Sequence, residues 1–161
     1  LTTPLHLFRL QCQYTKCRYV MTSFSAQVKS FTTEAKENTG VVFSRSVKKL
    51  ETELKRNRKT GGGLTPTQSG NMIRSMLVST TAMPKVDTVL KEYTEVEFTV
   101  SPSHVGKPVW IGVQAIYGPR QNYGFVGTDS LGRSYNQTGA YYVEGAGAKW
   151  QQFVKEAEAE V

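Results

Sequence analysis

The chain has 161 residues, a formal net charge of +7 and a hydrophobic fraction of 39%, which fits one domain with a buried core. No stretch approaches the ~20 consecutive apolar residues of a membrane span, so we expect no contact with a membrane. Two cysteines cannot form a disulfide scaffold, and two histidines leave little material for a metal site or a general base.

The first twenty residues differ in composition from the rest of the chain. They contain Cys12, Cys17 and His6, and they have no acidic residue. We expect residues 1–20 to be an N-terminal extension, either not natively translated or loosely attached, and residues 21–161 to form the domain. Without the extension, 17 basic and 13 acidic residues remain, a net charge of +4. A zinc site on the two cysteines and His6 is the alternative, although this set lacks a fourth ligand.

A long amphipathic helix is predicted to follow. Thr22 and Ser23 are typical of a helix N-cap, and apolar residues recur at steps of three and four from Phe24 to Leu54, with a gap around residues 38–40. A 37-residue helix would span ~55 Å, whereas a compact chain of this size measures only ~40 Å across. We therefore expect the helix either to break near the gap or to project and pack on a neighbouring subunit.

The remaining segments predict short elements around a small sheet. Residues 93–100 alternate between apolar and polar side chains, as in a half-buried strand that forms a hairpin with residues 109–113. The fold class is therefore α+β, with a long N-terminal helix, an antiparallel sheet of three to four strands, a short helix and a C-terminal helix. The other expected elements are a short helix capped by Ser69, a strand over residues 76–81, a helix within residues 115–123, a loop over residues 124–139 and a helix over residues 140–160.

The sequence indicates no catalytic, cofactor or metal site, and we expect no enzyme. Ser101, Ser103 and His104 form the one serine–histidine neighbourhood, but they lie in a predicted turn without a nearby acid. The glycine-rich residues 61–63 lack the lysine and hydroxyl ending of a phosphate-binding loop, and no strand precedes them.

The end of the long helix is basic. Such a tract is either a solvated helix terminus or a contact for phosphate or a partner. The candidate residues are Lys55, Arg56, Arg58 and Lys59.

Two segments resemble the neck or tail-completion proteins of long-tailed bacteriophages. Residues 65–75 (TPTQSGNMIRS) are similar to a Thr-Pro-Val-Asp-Thr-Gly motif that follows a long helix in that family. Residues 110–124 (WIGVQAIYGPRQNYG) are similar to its strand and short helix, which ends in Glu-Tyr-Gly. The resemblance covers residues 21–161, with Gln68 and Asn122 standing where the family has acids. The motif residues are Thr65, Pro66, Gly70, Arg74, Tyr117, Tyr123, Gly124 and Trp150.

The residue types in these motifs indicate structural roles. Pro66 and Gly70 are expected to shape a sharp exit from the long helix. Tyr117, Tyr123 and Trp150 are expected to pack the short and C-terminal helices on the sheet.

The resemblance implies a structural virion protein of the head–tail joint, made in the bacterial cytoplasm and without cofactors. It implies a ring of identical copies, a hexamer or alternatively a dodecamer, between a head-side connector or head-completion protein and a tail terminator or tail tube protein. DNA would pass through the ring without being read. A tail terminator of the same joint, or a basic nucleic-acid-binding module, are the alternatives.

Overall fold

The computed structural model describes residues 23–89 and 91–161, so the expected extension over residues 1–20 lies outside the described residues. The fold class is α+β, as the sequence predicts. A 3₁₀ turn, Pro102–His104, precedes the second strand. The regular elements are α1 Phe24–Lys55, α2 Asn71–Arg74, β1 Met76–Ser79, β2 Trp110–Val113, α3 Gly118–Tyr123, β3 Gly124–Thr128, β4 Ser134–Thr138, α4 Tyr142–Gly147 and α5 Trp150–Glu158.

Helix α1 runs without a break. Its N-cap is Ser23, whose side chain accepts a hydrogen bond from the backbone N–H of Ala26 at 3.3 Å. The helix continues through Gly40 for 32 residues, about 48 Å at 1.5 Å per residue. Gly40 is buried, and a Cβ there would lie 2.4 Å from the carbonyl oxygen of Pro102. The apolar gap around this glycine therefore marks a close approach of the 3₁₀ turn, not a break.

Four strands form two separate antiparallel pairs. Strand β1 pairs with β2, with Met76 opposite Val113 and Ser79 opposite Trp110. The predicted strand over residues 76–81 is thus confirmed as β1, although its partner differs from the expected hairpin. Short helix α2 is confirmed as well, but Gly70 occupies its N-cap in place of Ser69.

The predicted strand over residues 93–100 is wrong. The segment is irregular, and its alternation is broken because Tyr93 and Val100 are buried while Val96 is 49% exposed. The segment is held by hydrogen bonds from side chains and not by strand pairing. Ser44 Oγ donates to the carbonyl of Val100 at 2.6 Å, and the Arg74 guanidinium donates to the carbonyl of Tyr93 at 2.9 Å. Buried residues thus anchor the segment at its two ends.

The predicted loop over residues 124–139 is also wrong, because it contains the β3–β4 hairpin. The turn is held by Asp129, whose carboxylate accepts hydrogen bonds from the backbone N–H groups of Leu131 and Arg133, both at 2.9 Å. The backbone hydrogen bond from Arg133 also lowers the pKa of Asp129. Gly132 adopts φ 77 in this turn, as hairpin loops require. The two strands carry few apolar residues, which hid them in the sequence.

The predicted C-terminal helix over residues 140–160 is divided into α4 and α5. The division follows Gly147, and α5 then packs along α1. Burial of the Tyr142 side chain in α4 raises its pKa to about 12, and its hydroxyl donates to the carbonyl of Gly118 at 3.3 Å.

The core consists of two adjacent clusters that α1 joins. Ile111 of β2 packs against both, so the β1–β2 sheet lies between them. The buried members are Leu54, Met72, Met76, Tyr142 and Ala146 in the first cluster and Val47, Val78 and Val100 in the second.

Candidate functional site

The segment that leaves α1 is built around a buried threonine. Thr65 is fully buried, and its Oγ donates to the carbonyl of Leu54 in the last turn of α1. In return, the backbone N–H of Arg58 donates to the carbonyl of Thr65 at 3.0 Å. These bonds close the loop of residues 57–65, and Pro66 follows half-buried. Thr65 therefore satisfies a carbonyl in the last turn of the helix and fixes the segment that follows it.

Gly70 and Arg74 turn the chain into the sheet. Gly70 adopts φ 76, in the left-handed region that glycine enters without strain. The Arg74 guanidinium donates to the carbonyls of Tyr93 and Ser69, the latter at 3.4 Å. Arg74 is therefore occupied inside the fold.

A buried asparagine, which the sequence did not single out, connects the two family motifs. The amide of Asn71 donates to the carbonyl of Lys91 at 2.9 Å and to the hydroxyl of Tyr117 at 3.3 Å. Its oxygen accepts from the backbone N–H of Tyr93 at 2.9 Å. Tyr117 thus serves as a hydrogen-bond acceptor at the start of α3.

The second motif ends in a turn that requires glycine. Gly124 adopts φ 84, and a Cβ there would lie 2.4 Å from the carbonyl oxygen of Gln137. Next to it, the amide of buried Asn122 donates to both carboxylate oxygens of Glu144, at 2.9 and 3.1 Å, and this hydrogen bonding lowers the pKa of Glu144. The ring of Tyr123 is 64% exposed and does not pack α3 on the sheet, contrary to expectation.

Trp150 is a packing residue. Its half-buried side chain packs against the second core cluster, which consists of Val47, Val78 and Val100. Helix α5 itself packs along α1, and the expected packing of the C-terminal helix on the sheet stays a prediction. Among the residues that carry the resemblance, Tyr123 has the most exposed side chain of the tyrosines and Trp150, at 64%.

Two of the four residues of the basic tract form ion pairs. Lys55 Nζ lies 2.8 Å from Glu51 and 3.0 Å from Glu95, and Arg56 lies 2.8 Å from Glu53. Burial alone would lower the pKa of Lys55, but its hydrogen bonds to the two carboxylates raise it above its ordinary value. These cations are therefore committed within the chain.

Arg58 and Lys59 are exposed and form no ion pair with the described residues. They border a polar groove of about 980 Å³, together with Pro66 and Tyr117. The structure thus brings two of the four basic candidates next to the family motif.

The N-terminal half of α1 has no cover from the described residues. Every residue from 23 to 39 is exposed. Phe24 is 81% exposed, Val28 46% and Phe31 72%. We call these three residues the apolar stripe. The sequence placed them on one face with the core residues of α1, and it did not show that this half lies outside the core.

A second apolar surface lies where the β1–β2 sheet meets α3 and α4. This groove, about 540 Å³ in volume, has no charged residue among those that line it. Met83, Val86 and Val143 are 56%, 47% and 45% exposed there. We call it the apolar groove; its lining also includes Leu50, Val113 and Tyr123.

No family model matches this chain, and no curated protein or solved structure matches it. Within residues 23–89 and 91–161, no helix combines the length and apolarity needed to cross a bilayer. The same residues contain no group of three or more His, Cys, Asp or Glu side chains placed to hold a metal ion.

Proposed function

We propose that this protein is a structural subunit that assembles into a closed ring at the head–tail joint of a long-tailed bacteriophage. The observation that carries the proposal is the exposed N-terminal half of α1 with its apolar stripe. The resemblance of residues 65–75 and 110–124 to neck or tail-completion proteins supplies the place of assembly.

The stripe favours assembly on energetic grounds. Burial of a Phe or Val side chain contributes about 1.5–3 kcal/mol, and the described part of a single copy leaves Phe24 and Phe31 mostly in water. Most of the stability of a helix in a protein comes from packing its apolar face against other parts of the structure. A neighbouring subunit that covers the stripe would therefore stabilise both the helix and the assembly.

A ring requires that each subunit contact its two neighbours through two different surface patches. Identical subunits that join through two different patches form a ring when the rotation between them closes. A hexamer is proposed, with a dodecamer as the alternative, between a head-side connector or head-completion protein and a tail terminator or tail tube protein. Lys55 and Arg56 are paired with carboxylates, which suits a channel that passes DNA without gripping it.

A tail terminator of the same joint is the alternative within this class. A neck protein and a tail terminator both bind a neighbouring protein in the joint, but they bind different neighbours. Binding of the full chain to head-side connectors would support the neck assignment, whereas binding only to the ends of isolated tail tubes would support the terminator.

Electron microscopy of the purified full chain tests the ring. We expect annular particles with hexameric symmetry and a central opening wide enough for duplex DNA. Open filaments, or particles without a central opening, would overturn the proposal.

A further inference from the structure

We propose that the ring forms by insertion of the apolar stripe of one copy into the apolar groove of the next copy. This inference rests on the proposed function and adds which two surfaces meet. It assigns Phe24, Val28 and Phe31 as the inserted side chains. It assigns Met83 and Val143 as exposed walls of the groove that receives them.

The stripe is one-sided. Its three residues stand at positions i, i+4 and i+7, which places them within about 60° of one another and along ~10 Å of helix. Ala26 and Thr33 lie on the opposite side of the same turns. The stripe therefore forms a narrow apolar ridge of about two turns.

The ridge lies at one edge of the face that α1 buries in its own core: fully buried Ser46 shares the azimuth of Val28, and Leu50 lies between the stripe and Val47. At 100° per residue, Val47 and Leu54 point about a third of a turn away from the stripe. In the N-terminal half, Lys29 and Lys36 stand at the azimuth that those core residues occupy further along. The stripe is thus offset from the main core-facing side of α1, and no described residue covers it.

The apolar groove matches the ridge chemically. It is an open apolar surface with no charged residue in its lining, so a ridge of Phe and Val leaves no charge buried and unpaired on either side. Tyr123, 64% exposed at its border, offers a large ring to the inserted helix. This contact gives the exposed motif tyrosine a role.

A stripe that enters the groove has to come from another copy. Leu50, which lines the groove, lies on the same continuous helix as Phe31, about 28 Å further along its axis. A continuous helix cannot fold back to place its own stripe in this groove. Each copy therefore donates a stripe to one neighbour and receives a stripe from another.

A stable interface needs contacts from the stripe and from the residues that flank it on the same helical turns. Two aromatic side chains bury about 150–250 Å² each, and Val28 adds to this. A stable interface buries about 800 Å² per partner. The stripe thus supplies up to about half, and the flanks of the same turns have to supply the rest. A donor patch that differs from the acceptor patch also produces the head-to-tail contact that closes into a ring.

A mixing experiment on the full chain tests the pairing. A stripe variant, Phe24→Gln with Phe31→Gln, can still receive a stripe, and a groove variant, Met83→Glu with Val143→Glu, can still donate one. We expect each variant alone to remain monomeric, with a dissociation constant raised at least 30-fold. An equimolar mixture should form a one-to-one dimer and nothing larger, because a single intact junction remains.

Matched controls separate this effect from the effects of added polar groups and of misfolding. Ala26→Gln with Thr33→Gln changes the opposite side of α1, and Val89→Glu adds a charge at a site 83% exposed outside the groove. Both should assemble as the unmodified chain does. Assembly of either test variant with unchanged affinity would overturn the stripe–groove contact while the proposed ring remains. A strictly monomeric unmodified chain would instead defeat the proposed function itself.

Photocross-linking identifies the occupant directly. Benzoylphenylalanine replaces Met83, and this chain is mixed with unmodified chain labelled with ¹⁵N. We expect cross-links to peptides from residues 24–36 of the labelled copy. Cross-links within one copy, or to residues 1–22, would overturn the proposal, because another segment would then fill the groove.

Discussion

The ammonium group of Lys55 lies 2.8 Å from the carboxylate of Glu51, a side chain only 4% exposed on the core-facing side of α1. Lys48 contacts the other oxygen of the same carboxylate at 3.2 Å. The two lysines also reach Glu95 and Glu97, at 3.0 and 3.6 Å. The basic end of α1 thus fastens the irregular segment of residues 93–100 to the helix.

Neutralisation of Glu51 tests this role. Glu51→Gln keeps the shape but leaves two ammonium groups without their shared partner, so we expect the free energy of unfolding to fall by about 1–3 kcal/mol. Urea denaturation of the full chain measures this. Glu37→Gln, in the exposed half of α1, should change it by less than about 0.5 kcal/mol. Equal effects of the two substitutions would contradict a structural role for the Glu51 carboxylate.

Duplex DNA binding should be weak, because Lys55 and Arg56 of the basic tract are paired with carboxylates. Each phosphate contact contributes a slope of about −0.9 to the dependence of log affinity on log salt concentration. With only Arg58 and Lys59 unpaired among the four candidates, we expect a slope no steeper than about −2. Fluorescence anisotropy at several salt concentrations measures it.

Two variants identify the residues responsible. Arg58→Gln with Lys59→Gln should abolish the slope. Lys49→Gln should leave it unchanged, because Lys49 is paired with Glu160 at 2.8 Å. A slope near −4 would favour the nucleic-acid-binding module over the ring.

Gly40 provides a test of the close approach on α1. Alanine is favoured over glycine inside a helix by about 1 kcal/mol, yet a Cβ at this position would meet the Pro102 carbonyl at 2.4 Å. We therefore expect Gly40→Ala to lower the melting temperature. Gly147→Ala, where a Cβ meets nothing within 4 Å, should leave it unchanged or raise it. Stabilisation by both substitutions would contradict the observed packing.

This glycine also shows what the sequence could and could not specify. The periodicity of α1 predicted its start and its N-cap Ser23 correctly, but the expected 37 residues exceed the 32 of the observed helix, which ends at Lys55. The interruption around residue 40 was ambiguous, because a glycine that admits a neighbouring backbone and a glycine that ends a helix look alike in a single sequence. The rotation between the stripe and the core-facing side was hidden in the same way, since steps of three and four tolerate a gradual drift around the helix.

Long-range pairing was the other missing information. Phe98 and Val100 contact the second core cluster, but alternation along residues 93–100 reports a face and not a partner. Strand β1 instead pairs with β2 across more than thirty residues. Asn71 and Asn122 were missed because a buried amide has no periodic signal. Thr65 and Gly124, in contrast, stood in recognisable motifs and have the structural roles that such motifs serve.

Acid titration tests the contact between Asn122 and Glu144. The lowered pKa of Glu144 means that its carboxylate stabilises the fold above the unfolded value of 4.5, and that this contribution is lost as the pH falls through the lower folded pKa. Asn122→Ala should raise the Glu144 pKa towards 4.5 in a carboxyl NMR titration.

The same variant should be destabilised more at pH 7 than below the folded pKa of Glu144. Its loss includes about 1–3 kcal/mol for removal of a buried hydrogen-bonding amide. Asn136→Ala, at an exposed position of β4, is the control and should change neither quantity. An unchanged Glu144 pKa in Asn122→Ala would show that the amide does not set it.

The mass of the full chain in solution tests the central claim most directly. Multi-angle light scattering over a range of concentrations should give a closed oligomer, about six times the 17.9 kDa of one copy for a hexamer. The Phe24→Gln, Phe31→Gln variant should give the mass of one copy. A mass of 17.9 kDa for the unmodified chain at every concentration would contradict the account.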